Sequence, residues 1–349
     1  MNNERKMNLL NLEYSELEKF ILDSGMKKFN AKQIYTWLHQ KTTRKLEDMT
    51  NISKKDRLFL YENAYIPYLE VLEHQVSKID RTEKYLFQLQ DKLTIETVLI
   101  KHKDRFTVCV STQIGCPVKC AFCATGLGGF KRNLEVNEII NQVYTINSRL
   151  IKKGKSVTNI VYMGMGEPLL NLDNVLKSVD ILSNPEGLNI SKRKIVISTS
   201  GIIPGIEKLM EKKLPLALAI SLHAPTNAKR DQLVPINKKY PIEDLFNILN
   251  EHQKMNKRRI TFEYVMLKDF NTSNADADIL ADLLRGIDHT LNLIPLNPVE
   301  GVDLKRPTRD KIAHFYKYLK IEKGINVTLR REKGTDIDGA CGQLRERKK

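Results

Sequence analysis

The chain has 349 residues, of which 57 are Lys or Arg and 42 are Asp or Glu, so its formal net charge is +15. Its hydrophobic content of 41% suffices for a buried core, and no apolar run reaches the ~20 residues that a membrane-spanning helix requires. The composition therefore argues against a membrane-spanning protein, while the basic excess favours a polyanionic partner, nucleic acid before anionic membrane. Charges mixed into the first twenty residues argue against a signal peptide, so we expect a cytoplasmic protein.

Residues 14–64 are predicted to form short amphipathic helices. SELEKFILDSG and FNAKQIYTWLHQK carry apolar residues at helical spacing, with Asn30 as a candidate cap of the second helix. Basic residues cluster in this region, namely Lys27, Lys28, Lys32, Lys41, Arg44 and Lys45. They are compatible with a solvated face or with a face that contacts phosphates.

The pattern then changes to strands. A meander of strands is predicted at residues 85–90, 93–100 and 105–112. From there on, predicted strands alternate with predicted helices. The predicted strands are 106–111, 158–164, 194–200, 216–223, 260–267, 290–296 and 325–331, and the predicted helices include 136–151, 242–252, 276–286 and 308–322. Six β/α units imply a parallel sheet, either a partial barrel or a doubly wound open sheet. In both, residues at the carboxyl ends of the strands gather at the active face.

Four of the five cysteines lie in CVSTQIGCPVKCAFC, residues 109–123, and the fifth is Cys341. In a reducing compartment such a cluster is typical of metal binding or catalysis. Cys116, Cys120 and Cys123 form the motif C-x3-C-x2-C. A structural zinc site has four protein ligands, and only His102 is a further candidate nearby. Three thiolates on a [4Fe–4S] cluster leave one iron open to an exogenous ligand, and ferredoxin sites use four cysteines.

CPVKCAFC resembles the motif of radical S-adenosylmethionine (SAM) enzymes. The stretches MGMGEPLLN, STSGIIPGI, ISLHAP, NLIPLNP and DIDGACGQL, in this order between residues 82 and 345, resemble the RlmN/Cfr family of radical SAM RNA methyltransferases. The resemblance implies an α/β fold, a partial (βα)6 TIM-like radical SAM barrel with a small N-terminal helical accessory domain. The expected division is a helical RNA-binding accessory domain, a β extension, the partial barrel, and a C-terminal loop and tail bearing Cys341, at residues 1–80, 81–105, 106–332 and 333–349.

The resemblance also implies one [4Fe–4S] cluster on Cys116, Cys120 and Cys123 and two SAM molecules per turnover. Cys341 would take a methyl group from the first SAM, and a 5′-deoxyadenosyl radical from the second would remove a hydrogen atom from that methyl group. The carbon radical would add to an adenine, and Cys109 would then attack the sulfur of Cys341, releasing the methylated base and leaving a disulfide. The family positions for SAM are Gly166, Glu167, Ser198, Ser221, Leu222, His223 and Asn297.

Glu96 matches the family position of the base that deprotonates the adduct. Without the resemblance, Cys109 and His223 are also compatible with buried core residues. Glu96 is compatible with a solvated residue on a strand, and residues 164–167 with an ordinary strand-to-helix turn.

GEPLLN and NLIPLNP resemble the members that methylate adenine at C2, whereas the C8 members that confer antibiotic resistance show stretches such as GEALAN and NLIRYNP. Gly339 departs from the usual DIDAACGQL. The implied partners are 23S rRNA in its peptidyl transferase region, tRNA at the adenosine 3′ to the anticodon, and an electron donor such as flavodoxin, with the protein a monomer. Basic residues that could contact phosphates are Lys131, Arg132, Arg330, Arg331, Lys333 and the tail RERKK.

The sequence is also compatible with three different functions. The first is that of a Cfr-like C8 methyltransferase. The second is that of a non-enzymatic basic RNA-binding protein with a structural metal. The third is that of a radical SAM enzyme with a small-molecule substrate.

Overall fold

The computed structural model describes residues 6–346. In chain order its strands are β1 (Met7–Asn8), β2 (Ala64–Tyr65), β3 (Glu70–Val76), β4 (Glu83–Gln88), β5 (Thr94–His102), β6 (Arg105–Cys109), β7 (Gln113–Gly115), β8 (Phe130–Asn133), β9 (Asn159–Tyr162), β10 (Ile195–Thr199), β11 (Ala217–Ser221), β12 (Ile260–Met266), β13 (His289–Pro295) and β14 (Val327–Leu329).

The helices are α1 (Tyr14–Asp23), α2 (Lys28–Tyr35), α3 (Lys54–Asn63), α4 (Ala124–Leu127), α5 (Val136–Ile151), α6 (Leu172–Ser183), α7 (Ile203–Lys212), α8 (Asn227–Leu233), α9 (Ile242–Asn256), α10 (Asn274–Leu283) and α11 (Arg309–Lys317). Within residues 6–346 no helix is both long and apolar enough to cross a membrane.

Helices α1 to α3 form the predicted N-terminal helical region. Asn30 is the third residue of α2, and its side chain accepts a hydrogen bond from the Lys27 N–H at 3.1 Å. It therefore stabilises the start of α2 from inside the helix, not from the predicted cap position. Part of the basic cluster is neutralised locally, because Lys28 pairs with Glu18 and Lys32 with Glu186.

A buried polar contact joins this helical region to the barrel. The Nδ1 of His39 lies 2.6 Å from the hydroxyl of Tyr144 on α5, and its ring centroid lies 4.2 Å from that of Tyr35. His39 is fully buried, and burial lowers its pKa to about 3, so the imidazole is neutral at physiological pH.

Ten strands of the described chain form one sheet in the order β14-β13-β12-β11-β10-β9-β6-β5-β4-β3. Seven of them, β6 and β9 to β14, are parallel neighbours. Their spatial order follows the chain without reversal, so right-handed β/α connections place the helices on the same side. A doubly wound sheet would reverse its order midway. This topology is the partial barrel, and it rules out the doubly wound sheet.

Strands β3 to β5 continue the sheet as an antiparallel meander beside β6. The residue pattern predicts β4 and β5 but not β3. Because β5 runs against β6 and β4 against β5, β4 points the same way as the parallel strands. Gln88, its last residue, therefore lies at the edge formed by the carboxyl ends of the barrel strands, here called the carboxyl edge.

Residues 333–346, here called the C-terminal strap, connect the β14 side of the sheet to the β4–β6 side. The Gly334 N–H donates to Asp80 at 3.0 Å, near the start of β4. The Gly342 carbonyl accepts from Ala124 at 2.7 Å, and the Leu344 carbonyl accepts from the Thr125 hydroxyl at 2.6 Å. The strap thus lies across the open side of the barrel and brings Cys341 to the carboxyl edge.

Candidate active site

Three cysteines occupy a closed loop at the carboxyl edge. The loop, residues 116–129, is bracketed by β7 and β8, which pair antiparallel. Gly115 at the end of β7 has φ +72°, and a Cβ there would lie 1.6 Å from the Gly129 carbonyl oxygen. Only glycine permits this closure, which fixes the position of the first cysteine.

Cys116, Cys120 and Cys123 all line one cavity of about 160 Å³. Burial raises the pKa of each thiol, for Cys116 to about 12. Thiolates in such a place need bound positive charge. Within residues 6–346, no three His, Cys, Asp or Glu side chains are grouped tightly enough to hold one metal ion. Three cysteine thiols on one cavity are the donor set of a [4Fe–4S] group that leaves one iron open, so the residues present fit such a group.

His102, considered above as a fourth zinc ligand, does not meet these cysteines. It is exposed at the end of β5 and pairs with Arg105 at the start of β6. That end of the sheet is opposite the carboxyl edge, so His102 is wrong as a ligand.

The turn after β9 shows the close approach expected of a binding loop. Gly166 has φ +101°, and a Cβ there would lie 2.5 Å from the Cβ of Gln113. The Gln113 side chain accepts from the Glu167 N–H at 2.8 Å. The Glu167 carboxylate, which lines the cavity, accepts from both the N–H and the hydroxyl of Ser200 at 2.8 Å. Burial raises the pKa of Glu167, and these donors oppose that rise.

Four further polar residues line the same cavity from the carboxyl ends of three strands, namely Ser198 near the end of β10, Ser221 and His223 at and after the end of β11, and Asn297 after β13. The Nδ1 of His223 accepts from the Val265 N–H at 3.0 Å, and burial lowers the pKa of His223 to about 3. Its ring is therefore neutral, with the proton on Nε2.

Asn297 donates to the Cys341 carbonyl at 3.1 Å. Its Oδ1 is buried and has no hydrogen-bond partner in the described part of the chain. A buried amide oxygen beside a cavity is costly unless a ligand donates to it. Asn297 therefore supplies an open acceptor for a bound molecule.

Leu222 does not share this arrangement. Its side chain is fully buried in the hydrophobic core, and it does not line the cavity. Its carbonyl accepts from the Arg230 guanidinium at 3.1 Å. The Leu222 side chain thus has a structural place in the core, and a contact of Leu222 with SAM stays a prediction.

Cys109 and Cys341 share a second cavity, of about 70 Å³, which adjoins the first. Cys341 lines both cavities, whereas Cys109 lines only the second. Both thiols are free. Burial and the neighbouring Cys341 raise the pKa of Cys109 to about 12, and Arg330 opposes that rise. Arg330, which also lines both cavities, is held 3.8 Å from Glu263.

Glu96 lies outside both cavities. It is 1% exposed, and its carboxylate pairs with the buried Lys84 at 3.3 Å and accepts from the Arg345 N–H at 3.0 Å. In this conformation Glu96 anchors the C-terminal strap and does not face the cysteines.

Several residues at the site were not anticipated. The fully buried Arg230 donates to the Ser200 and Ser221 carbonyls at 2.6 and 3.1 Å, joining the ends of β10 and β11. Glu263 is buried, which raises its pKa, and accepts from Asn292 at 2.8 Å. The residues around Arg230 carry no local signal of such a role. A charged residue inside an apolar strand, as in ITFEYVM, is the signal that could have found Glu263.

Most of the expected phosphate contacts are engaged within the chain. Lys131 pairs with Glu346, and Arg132 with Asp91 and Glu138. Lys333 lies 4.0 Å from Asp80. Of the tail RERKK, residues 347–349 lie outside the described residues.

Comparisons with known proteins show the family to which the chain is similar. Residues 7–66 match the Ribosomal RNA large subunit methyltransferase N-terminal domain, and residues 110–279 match the Radical SAM superfamily. The chain is 48% identical over 338 residues to a probable dual-specificity RNA methyltransferase RlmN of Thermotoga petrophila and 49% identical over 339 residues to that of Thermotoga maritima, covering 97% of both chains in each case.

A solved radical SAM methyltransferase from Sphaerobacter thermophilus is 40% identical to this chain, with a TM-score of 0.93. The match covers 97% of this chain and 99% of that one. The predicted radical SAM α/β fold is thereby confirmed over nearly the whole length.

Proposed function

Because this chain belongs to the RlmN family of radical SAM RNA methyltransferases, we propose that it methylates C2 of specific adenosines in RNA. The substrates proposed are the adenine in the peptidyl transferase region of 23S rRNA and the adenosine 3′ to the anticodon in tRNAs. GEPLLN and NLIPLNP support C2, and the two Thermotoga relatives carry the RlmN name, so a Cfr-like C8 methyltransferase is not favoured.

Family membership also argues against a protein without enzymatic activity. The hypothesis of a non-enzymatic RNA-binding protein with a structural metal is wrong, because the similar proteins are methyltransferases over their full length. A radical SAM enzyme for a small molecule is not supported, because the N-terminal region matches a ribosomal RNA methyltransferase domain.

The position of Cys341 carries the proposal most directly. Its thiol lines both cavities, one with Cys116, Cys120 and Cys123 and the other with Cys109. A thiol that carries a methyl group must reach both a methyl donor and a resolving thiol, and the place where the two cavities meet allows both.

The three loop cysteines would hold the [4Fe–4S] cluster, and the polar residues of the first cavity would hold SAM. When bound, this pair would supply the one-electron chemistry and the methyl group that the reaction needs. Glu167 would offer a carboxylate to the ammonium of SAM, and the unpartnered Oδ1 of Asn297 would accept a hydrogen bond from it. Two SAM molecules per turnover remain part of the proposal.

Cys341 would carry the transferred carbon as a thioether, which links the protein to the base. Glu96 is proposed to remove the proton from the adduct, which requires its carboxylate to leave the Arg345 N–H. The Cys109 thiolate would then attack the sulfur of Cys341, so that an S–S bond forms as the C–S bond breaks. The electron pair goes to the carbon, which takes a proton and becomes the methyl group, and an external dithiol or electron donor reduces the disulfide.

An electron donor such as flavodoxin would serve the enzyme in the cytoplasm, and the protein would act as a monomer. The net charge of +15 supports association with a polyanion.

Nucleoside mass spectrometry tests the reaction. Anaerobically reconstituted protein, SAM and a reductant are incubated with rRNA and tRNA from cells that lack their own C2 methyltransferase. 2-Methyladenosine in one or both RNAs is the expected product. 8-Methyladenosine would instead overturn the assignment of the carbon. SAM cleavage without either product would leave the radical machinery intact and refute the RNA substrates.

A further inference from the structure

Residues 61–68, which comprise the end of α3, β2 and part of the chain leading to β3, separate two open cavities. One, of about 250 Å³, is lined by Tyr61 and Tyr65 together with Lys6, Arg44 and Lys45. The other, of about 300 Å³, is lined by Tyr65 and Tyr68 together with Gln88, Gln90 and Lys92. Aromatic rings, cations and amides thus alternate along one short stretch of surface, here called the tyrosine track.

Within the described chain, the cations of the tyrosine track are not neutralised by carboxylates, although Lys6 donates to the Tyr61 carbonyl at 2.7 Å and Arg44 to the Thr145 hydroxyl at 3.3 Å. Among residues 6–346, none of Lys6, Arg44, Lys45 and Lys92 forms an ion pair, although one carboxylate lines each cavity. This differs from the neutralised lysines of α2 described above. Cations held next to carboxylates without pairing to them keep their charge for another partner.

The aromatic rings of the track are exposed and already oriented beside cations. Tyr68 is 58% exposed, and the Arg44 guanidinium lies 5.7 Å from its ring centroid. Tyr61 is 49% exposed, with the Lys6 ammonium 5.2 Å from its ring centroid. Exposed rings flanked by cations are how proteins hold single-stranded nucleic acid, since bases stack on the rings and phosphates meet the cations.

The track also lies at the same edge of the sheet as the active site. Gln88 ends β4 at the carboxyl edge and pairs with Thr94, while Cys109 pairs with Val98. Thr94 and Val98 are four residues apart on β5, and β4 and β6 are two strand spacings apart. Gln88 therefore lies about 16 Å from Cys109. A strand of RNA that enters the site can reach the track within a few nucleotides.

Resting on the proposed RNA methyltransferase function, we propose that the tyrosine track binds unpaired nucleotides flanking the target adenosine. Bases stack on Tyr61 and Tyr68, phosphates meet Lys6, Arg44 and Lys45, and the amides of Gln88 and Gln90 contact base edges. An anionic membrane would not need the amides or the planar rings, and a second copy of this basic chain would be repelled.

The double variant Tyr68→Ala/Arg44→Ala tests the track. Its matched control is Phe29→Ala/Lys27→Ala, which removes an equally exposed ring (56%) with an ammonium 5.9 Å from the centroid, outside both cavities. The Kd for unmodified tRNA and 23S rRNA transcripts is measured at several salt concentrations, beside kcat and KM for methylation. We expect a Kd about tenfold higher for the Tyr68/Arg44 variant, from loss of one stacked base and one phosphate contact.

For the same variant, the slope of log K against log[salt] should be less negative than that of wild type by about 0.7, because one single-strand phosphate contact is gone. Its kcat at saturating RNA should stay within about twofold of wild type, since the track is not part of the chemistry. Tyr68→Phe should bind RNA like wild type, because the ring that stacks is retained.

The proposed role of the track would be overturned if the Phe29/Lys27 control weakened RNA binding equally, or if the Tyr68/Arg44 variant left the Kd unchanged. So would a change in oligomeric state with unchanged RNA binding, since the surface would then join two chains. Wild-type protein that binds these RNAs without methylating them would refute the proposed function alone, and the ratio of Kd values would still decide on the track. Wild-type protein that does neither would refute both.

Discussion

Replacing Arg230 should destabilise the protein far more than replacing an exposed arginine. The guanidinium is fully buried on α8 and donates to four acceptors, the carbonyls of Ser200, Ser221 and Leu222 and the Oδ1 of Asn237. Three of these acceptors belong to the segments that end β10 and β11. One side chain therefore ties the two strand ends that carry the central part of the candidate SAM site.

The size of the effect follows from opposing contributions. Arg230→Met keeps much of the side-chain volume but leaves four buried acceptors without their donor, at about 1–3 kcal/mol each. The substitution also removes the cost of burying the charge. That cost is evident in wild type, where burial lowers the pKa of Arg230 to about 10. Since the relieved charge burial offsets part of the cost of four unpaired acceptors, a net loss of about 3–5 kcal/mol in the free energy of unfolding is expected.

Urea unfolding of the anaerobically reconstituted protein, followed by circular dichroism, measures this loss. Arg259→Met is the matched control, because Arg259 is 57% exposed and pairs with Asp288, and it should cost less than about 1 kcal/mol. SAM cleavage by Arg230→Met should fall with the loosening of Ser200, which holds Glu167. A loss as small as that of the control would refute the anchoring role of Arg230.

Three further predictions concern the site and the helical region. Cys109→Ala should accumulate a covalent RNA–protein adduct on denaturing gels and Cys341→Ala should not; normal turnover without adduct in Cys109→Ala would contradict the resolving role. The pKa of His39 is about 3 when folded against 6.5 when unfolded, so its stabilising contribution is complete above pH 6.5 and is lost as the pH falls from 6.5 towards 3. Wild type should therefore lose about 2 kcal/mol more than His39→Phe between pH 7 and pH 5, and parallel pH profiles in urea unfolding would contradict this. Gly166→Ala should weaken SAM binding in equilibrium dialysis by at least about tenfold, from the strain of φ +101° and a contact of 2.5 Å. Gly128→Ala, where a Cβ meets nothing within 4 Å, should bind SAM normally.

The barrel could be predicted from sequence because its strands are buried on both faces. Such strands appear as apolar runs, as in IVI of residues 195–197 and LALAI of residues 216–220, and the structure has β10 and β11 there. Strand β3 was missed because EVLEHQV is mostly exposed or half-exposed and shows no apolar run. Its place depends on pairing with β4 and not on its own pattern.

The residues that bind could be predicted where a motif fixes local geometry, and less well where contacts come from distant parts of the chain. The three loop cysteines and Gly166 share one cavity as expected. Arg230 reaches a carbonyl thirty residues away, and Glu96 meets an N–H 249 residues away. No local pattern encodes such contacts, whereas the prediction of Leu222 in the SAM site depends on the ISLHAP stretch alone.

The attachment of the C-terminal strap limits how far the Cys341 thiol can travel. Once the hydrogen bonds to the strap carbonyls of Cys341, Gly342 and Leu344 open, the next attachment is Arg345, four residues beyond Cys341, which Glu96 holds. Four extended residues span about 14 Å. A thiol confined to a sphere of that radius has an effective concentration on the order of 0.1 M toward any group within it. A carbon carried on such a tether meets nearby partners repeatedly and never diffuses away. Loosening the Glu96 attachment would therefore lower the effective concentration of the Cys341 thiol without changing its chemistry.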